Sequence, residues 1–367
     1  MRPAVAIGMA LLLAACAQAP EPHASLVSTA TGDAATAEPE EPLEPAPAAD
    51  WARVERVAFT VRRGGRELCG RQVAPALGFY FNNRDSYNAA ANPAGTDADD
   101  LGDRYQVTRV VAGTPAAQAG VQVGDVLVSL GGQPMPSGAG TGEAVKRLGR
   151  EVLRAGRPVA VAVERDGTQR QLTATPVLAC DVRLVVQRSW EVNAYTNGSL
   201  IQVRSGLLRF VQSDDELALV LAHEVGHSIM NHAAATKLNM IGGAIVGSVV
   251  DAIAGDTEGT YMRHGITAGS RRNSVAHELQ ADYIGLYVMA RAGYDIGVAA
   301  PLWRRMAAHM PDEADPLPTH PAPPLRIAAI ERTVAEIRAK QASGAPLVPD
   351  AATVARLGRE PAQPATN

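Results

Sequence analysis

The chain has 367 residues, enough for two ordinary domains, and 46% of them are hydrophobic, enough to bury real cores. A formal net charge of -4 supplies no basic field, which argues against a nucleic-acid partner. Aromatic residues make up only 4%, while the 34 glycines and 25 prolines suit small-residue packing and loops and select no ligand class.

In chain order, Arg2 precedes an apolar run from Ala4 to Ala15. The run is too short to span a bilayer as a mature helix but suits the apolar core of a signal peptide over residues 1–15. It ends in Leu13-Ala14-Ala15-Cys16, which resembles a bacterial lipobox. That resemblance implies cleavage before Cys16 and acylation of its thiol, and two or more acyl chains hold a protein on a membrane where one does not. Ala17 in the next position is similar to the pattern of lipoproteins sent to the outer membrane. The expected location is the cell envelope, lipid-anchored and facing the periplasm; the alternative is an ordinary secretory signal with an incidental cysteine. Residues 16–50 are rich in Ala, Pro, Glu and Thr and read as a disordered tether with a reach of roughly 30 Å.

Residues 51–182 form the first expected folded module. Cys69 and Cys180 are the remaining cysteines. In an oxidising compartment such a pair reads as a disulfide, and closing a loop of this length contributes up to about 4 to 5 kcal/mol. Neither lies in a CxxC. Tyr105 to Val111 is a predicted strand, followed by a turn, short helix and glycine stop over Gly113 to Val121. Val126 to Leu130 is a second strand, Glu143 to Ala155 has helical apolar spacing, and Val159 to Glu164 with Gln171 to Thr175 form a hairpin around Asp166-Gly167.

The order of these elements, and GTPAAQAGVQVGDVL in particular, resembles a PDZ domain of the kind attached to bacterial envelope proteases. By that resemblance Leu77, Gly78 and Phe79, after Ala76, correspond to the loop whose backbone N–H groups receive a peptide carboxylate. The competing reading is a β-rich spacer, and the stretch from 85 to 104 could reshape the groove. Gly131 to Gly142 lacks the GK[ST] ending of a phosphate loop and is a plain connection.

The second module, residues 183–340, carries LVLAHEVGHSIMNH from Leu219 to His232. Ser213-Asp214-Asp215-Glu216 opens its helix as a capping box, with acidic residues on the positive helix end. His223 and His227, one turn apart, share a face, and Glu224 lies at its rim. Two imidazoles so placed can share a zinc ion while the glutamate reaches a water bound to it, although HExxH also occurs without a metal. On a continued helix His232 would point about 140° away from His227, so a third ligand must come from another element. The helix from Ser274 to the stop at Gly293 offers Glu278 as that ligand and Asp282, one turn on, as acceptor for the other ring N–H of a ligating histidine. His277 is the competing ligand.

HExxH followed about fifty residues later by ExxAD, with Asn193-Ala194-Tyr195 and a hairpin before and a His-Pro segment after, resembles the HtpX/BepA-type zinc metallopeptidases, gluzincins related to the CaaX prenyl proteases. The similarity runs from about Val182 to Lys340 and fits the soluble, periplasmic branch. It implies one Zn2+ per subunit on His223, His227 and Glu278, with Glu224 as general base. His320, in the His-Pro segment, could be a fourth ligand that blocks the metal, an oxyanion stabiliser, or a packed loop residue, and Arg326 could orient it or form a structural ion pair.

An extended substrate is expected to pair with the strand Ser199, Leu200, Ile201, Gln202, Val203 and Arg204. Ile241 to Ala254 reads as a packed or interfacial helix of about fourteen residues that forms a lid with Asp256 to Ser270. Arg304 and Arg305 are expected on a solvated helix face, and 341–367 as a flexible tail. The fold class is therefore a β-rich PDZ-like domain followed by a mainly α, α+β metallopeptidase domain. The expected function is a zinc endopeptidase acting on unfolded or misassembled envelope proteins and peptides. The rival is a peptide-binding adaptor or chaperone with a latent metal site; a serine protease lacks a GxSxG or GNSGG nucleophile motif.

Overall fold

The computed structural model describes residues 48–87, 100–271, 274–309 and 324–359. Cys16 and His320, with all three roles expected of the histidine, lie outside them.

Helix α1, Ala48–Gly64, has two working faces. Trp51, Val54, Val57, Ala58 and Val61 recur at helical spacing and are buried in the same core as the helices of the second module. A neighbouring stripe, Glu55, Phe59 and Arg62, turns to the first module, where Glu55 accepts a 2.6 Å bond from Arg109 Nε. The 51–182 segment is thus not one core: its first turns belong with the helical part of the chain.

After α1, Cys69 and Cys180 form a disulfide with a Cα–Cα distance of 5.7 Å. Strands β1 (Val73–Ala76) and, much later, β8 (Val177–Cys180) pair antiparallel beside it, so the chain enters and leaves the first module at one neck. Inside are β2 (Phe79–Asn82), β3 (Gln106–Val110), helix α2 (Pro115–Gln118), β4 (Val126–Leu130), β5 (Gln133–Pro134), α3 (Gly142–Val152), β6 (Val159–Arg165) and β7 (Thr168–Ala174). The sheet runs β2-β3-β4-β6-β7, with β5 paired to β4. Its inward residues, among them Val107, Leu127, Val161 and Val163, bury against Leu148 of α3. β7 starts earlier than its expected Gln171 because Asp166 (φ 52°) and Gly167 (φ 71°) close a two-residue turn, which keeps Thr168 in register with Arg165.

The second module opens with β9 (Arg183–Gln187), β10 (Ala194–Thr196) and β11 (Leu200–Arg204), arranged β10-β11-β9. Helices α4 (Ser205–Phe210), α5 (Asp214–Ile229), α6 (His232–Ala254), α7 (Thr260–Arg271), α8 (Ser274–Arg291), α9 (Ala299–His309), α10 (Pro324–Ser343) and α11 (Ala351–Leu357) follow. The start of α5 is pinned: Glu216 N–H donates to Ser213 Oγ at 3.1 Å, and the Glu216 carboxylate accepts from Gln212 N at 2.7 Å, one residue before the cap. Arg305, expected on a solvated face, instead donates to Glu216 at 2.6 Å and lies over the Phe210 ring. Arg304 pairs with Glu331 at the surface.

α5 and α8 touch backbone to backbone. A Cβ at Gly226 would meet the Ala281 carbonyl oxygen at 2.6 Å, and one at Gly285 would meet Ala222 O at 2.9 Å, so only glycine permits this approach.

Two expectations change. The helix expected over Ile241 to Ala254 is 23 residues long, runs from His232, and pairs with α7 through Gly243 and Gly265, where a Cβ on either would meet the other's carbonyl at 1.9 or 2.0 Å. Its outer face, with Leu238, Ile245, Val246 and Ile253, is exposed; α6 is the one helix among the described residues apolar and long enough to cross a membrane. The expected flexible tail is ordered as far as residue 359: Asp350 caps α11 by accepting from Thr353 N, and Val354 and Leu357 pack on the core.

Candidate metal centre

The α5–α8 contact sets the distance between two short stretches of ionisable side chains. His223 Nε2 and His227 Nε2 are 3.0 Å apart, and Glu278 places Oε2 3.2 Å from the first and Oε1 3.1 Å from the second. One ligand atom from each of the three lies within 4.8 Å of the others. His223 is 1% exposed and Glu278 4%.

The remaining ring nitrogens decide whether this cluster can hold a cation. His223 Nδ1 lies 2.9 Å from Asp282 Oδ1, and a carboxylate can only accept, so Nδ1 carries a hydrogen and the neutral ring has its lone pair on Nε2. For His227 the same logic runs through three residues. Gln280 donates its amide nitrogen to Val354 O at 3.0 Å, which turns Oε1 toward His232 Nε2, also at 3.0 Å. Burial, then the neighbouring His227 and His277, push His232 down to about 3, so its ring is neutral. With Nε2–H given to Gln280, His232 Nδ1 accepts from His227 Nδ1 at 2.9 Å, and His227 Nε2 is left with its lone pair. With both rings neutral, two imidazole nitrogens and a carboxylate converge with the Nδ1 hydrogens directed outward, a donor set that fits a small divalent cation.

The expectation that His232 points away is corrected here. Helix α5 ends at Ile229, and Asn231 takes φ 56°, ψ 36°, a left-handed conformation that asparagine tolerates better than most residues. The chain reverses at that point and brings His232 back onto His227. His277, the competing ligand, is instead stacked on His232 with ring centroids 4.1 Å apart and planes 14° apart.

Charge is balanced beneath the triad. Arg326 on α10, fully buried, donates from Nε to Asp282 Oδ2 at 2.6 Å and from Nη2 to Oδ1 at 3.0 Å, and its Nη1 lies 3.1 Å from Glu278 Oε2. Its guanidinium stacks over Trp303 at 4.1 Å, and the same indole meets the His223 ring edge-on at 5.2 Å. Burial opposes ionisation of Asp282, but Arg326 and His223 outweigh it and hold the carboxyl below its ordinary range. Burial would likewise lower His223; Glu278 and Asp282 overcome this and hold it up at about 9, so a metal must displace the proton kept between His223 and Glu278. Glu224, 1% exposed, follows His223 on α5 and is near enough for its charge to act on His227 and Arg326.

The strand assigned to substrate is also corrected. β11 pairs antiparallel with β10 through Ile201, Gln202 and Val203 and parallel with β9 along Leu200 to Arg204. Both of its edges are occupied, so an extended substrate cannot add to it. Ser199 sits in the preceding turn, where its N–H donates to Asn197 Oδ1.

In the first module, Leu77 is buried and Gly78 takes φ 84°, a conformation in which a Cβ would meet Thr114 at 2.3 Å. Phe79 begins β2, the end strand of its sheet among the described residues.

Residues 170–334 match the sequence profile of Peptidase family M48, and residues 106–165 that of a PDZ domain. The chain is 27% identical to the Beta-barrel assembly-enhancing protease of Escherichia coli (strain K12) over 164 residues, which cover 40% of this chain and 33% of that protein. It is 34% identical to the Mitochondrial metalloendopeptidase OMA1 of Arabidopsis thaliana over 145 residues, 36% of this chain and 29% of that one. It therefore spans about a third of the length of the curated relatives it matches. Among solved structures, the HtrA3 PDZ domain bound to a phage-derived ligand aligns with 29% of this chain and 88% of its own at 15% identity and a TM-score of 0.21.

Proposed function

We propose that the chain, with a Peptidase family M48 domain behind a PDZ domain, is a zinc-dependent endopeptidase that cleaves unfolded or misassembled proteins of the bacterial cell envelope. The observation that carries this reading is the convergence of His223, His227 and Glu278 within 4.8 Å of one another, one residue from Glu224. Zinc bound there would supply Lewis acidity, making a water acidic near neutral pH and polarising the scissile carbonyl. The side chains do the rest. Asp282 and the Gln280–His232 pair hold the two imidazoles in the tautomer that offers Nε2. Arg326 neutralises the carboxylates behind them. Glu224 takes the proton of the attacking water and returns it to the leaving amine, a transfer worth about 10² to 10⁴ in rate.

In this reading Cys16 carries the lipid anchor, the protein faces the periplasm at the outer membrane, and the PDZ groove receives polypeptide ends. Relatives named as a beta-barrel assembly-enhancing protease and a metalloendopeptidase support an envelope substrate and this chemistry. The test compares purified wild type with Glu224→Gln on reduced, unfolded α-lactalbumin, with products read by mass spectrometry. New internal termini from wild type alone are the expected result. Identical peptide maps, with both proteins binding the substrate, would make this an adaptor rather than a protease.

A further inference from the structure

The groove of the first module is not built by that module alone. A cavity of about 240 Å³ lies between β2 and α3, lined by Leu77, Gly78, Phe79, Leu148 and, from α1, Phe59 and Arg62. Phe59 and Arg62 are one turn apart, on the stripe of α1 beside the one that Trp51, Val54 and Val61 bury in the helical core. One wall of the groove is therefore a helix of the peptidase side.

At the Leu77–Gly78 end the backbone is turned in a particular direction. Ala116 N donates to Leu77 O at 2.9 Å, Val111 N to Gly78 O at 2.9 Å, and Thr114 Oγ1 to Gly78 O at 3.2 Å. Both carbonyls are thus held toward the module, while among the described residues neither the Leu77 nor the Gly78 N–H has an acceptor. Arg62 donates from Nε to Cys180 O at 2.9 Å, and its two terminal nitrogens have no acceptor among the described residues. Burial works against its charge, with Tyr80 and Asp181 in partial compensation. A guanidinium stays charged at neutral pH even so, and this half-buried cation, with terminal nitrogens that face no acceptor among the described residues, is placed to receive an anion. Two outward N–H groups, a fixed cation, apolar walls and an end strand open to pairing describe one occupant: the free carboxylate of an extended polypeptide whose last residue is apolar.

We propose that Arg62, projected from the helix that also builds the peptidase core, pairs with the C-terminal carboxylate of the polypeptide in the PDZ groove. This rests on the reading of that groove as a site for chain ends. A bound end then touches both modules at once, and the arginine that holds it is tied through Cys180 to the neck between them.

The experiment uses full-length protein carrying Glu224→Gln, so that nothing is turned over. Fluorescein-labelled decapeptides of Gly-Ser repeats ending in Val, Leu or Phe are titrated by anisotropy, each as free acid and as amide. At least one free acid is expected to bind about tenfold tighter than its amide, charge-assisted bonds being about twice as strong as neutral ones. Adding Arg62→Gln collapses that preference to under about threefold with amide binding unchanged, and Arg62→Lys keeps most of it. Leu148→Asp, inside the groove, removes binding of acid and amide alike. An acid-to-amide ratio unmoved by Arg62→Gln overturns the proposal, as does equal loss of both ligands in that variant. Absence of any acid preference in the Glu224→Gln parent overturns the chain-end reading with it. Neither result touches the metal centre, which the peptide maps of wild type and Glu224→Gln test separately.

Discussion

Arg326 and Asp282 form a fully buried ion pair, with Nε to Oδ2 at 2.6 Å, behind the imidazole of His223. The same guanidinium reaches Glu278, so one cation serves two buried carboxylates. Removing it by Arg326→Met leaves buried negative charge, and breaking such a pair costs about 3 to 5 kcal/mol. The expected outcome is a lower urea midpoint together with lost zinc, read by denaturation and by metal analysis of the purified protein. A variant with unchanged stability and full metal content would show that Arg326 is not the balancing charge.

The relay from Gln280 through His232 to His227 makes a prediction far from any ligand atom. Gln280→Leu removes the acceptor that fixes His232, so His227 no longer has its Nε2 lone pair enforced. Outer partners of ligating histidines are worth about 10- to 100-fold in metal affinity. Competition with a chromophoric zinc chelator should show that loss with little change in far-UV circular dichroism.

Gly226→Ala should act through backbone distance. The added methyl meets the Ala281 carbonyl, which has no flexible side chain to move aside, so α5 and α8 must part. Overpacking of this kind costs about 1 to 3 kcal/mol, and here the triad spreads as well. Thermal unfolding and metal content are expected to fall together; if stability drops and zinc binding does not, the helices can separate without opening the site.

Metal removal should inactivate without unfolding. The core from Trp51 to Ile337 is built of buried apolar side chains, so protein stripped with phenanthroline is expected to keep its helical spectrum. Adding zinc back to a hundred times its dissociation constant raises the unfolding free energy by about 2.7 kcal/mol, if the unfolded chain binds none. Calorimetry with and without zinc checks the value.

Much of the centre is legible in the chain because its parts are local: His223 and His227 share a helical period, as do Glu278 and Asp282. What escapes is whatever depends on a break in that period or on a partner distant in sequence. His232 is misplaced when α5 is continued through Asn231, whose left-handed turn has no signal stronger than the asparagine itself. Arg326 is visible only as a basic residue after a His-Pro segment, and its burial follows from α10 packing on α8. For β11 the strand is readable but its neighbours are not, since the parallel pairing with β9 is set by tertiary contact. The two-faced role of α1 is likewise hidden, because a stripe of apolar residues does not say whose core it enters.

The bridge between Cys69 and Cys180 gives the PDZ module the standing of a pendant on a locked ring. A protease nick anywhere from residue 70 to 179 severs the polypeptide but frees no fragment, because both halves hang from the same cystine. On a gel without reductant such nicked molecules would run as one species and, with reductant, as two. In an oxidising compartment, damage to the exposed loops of the module would therefore leave it attached to the domain that holds the metal-binding triad.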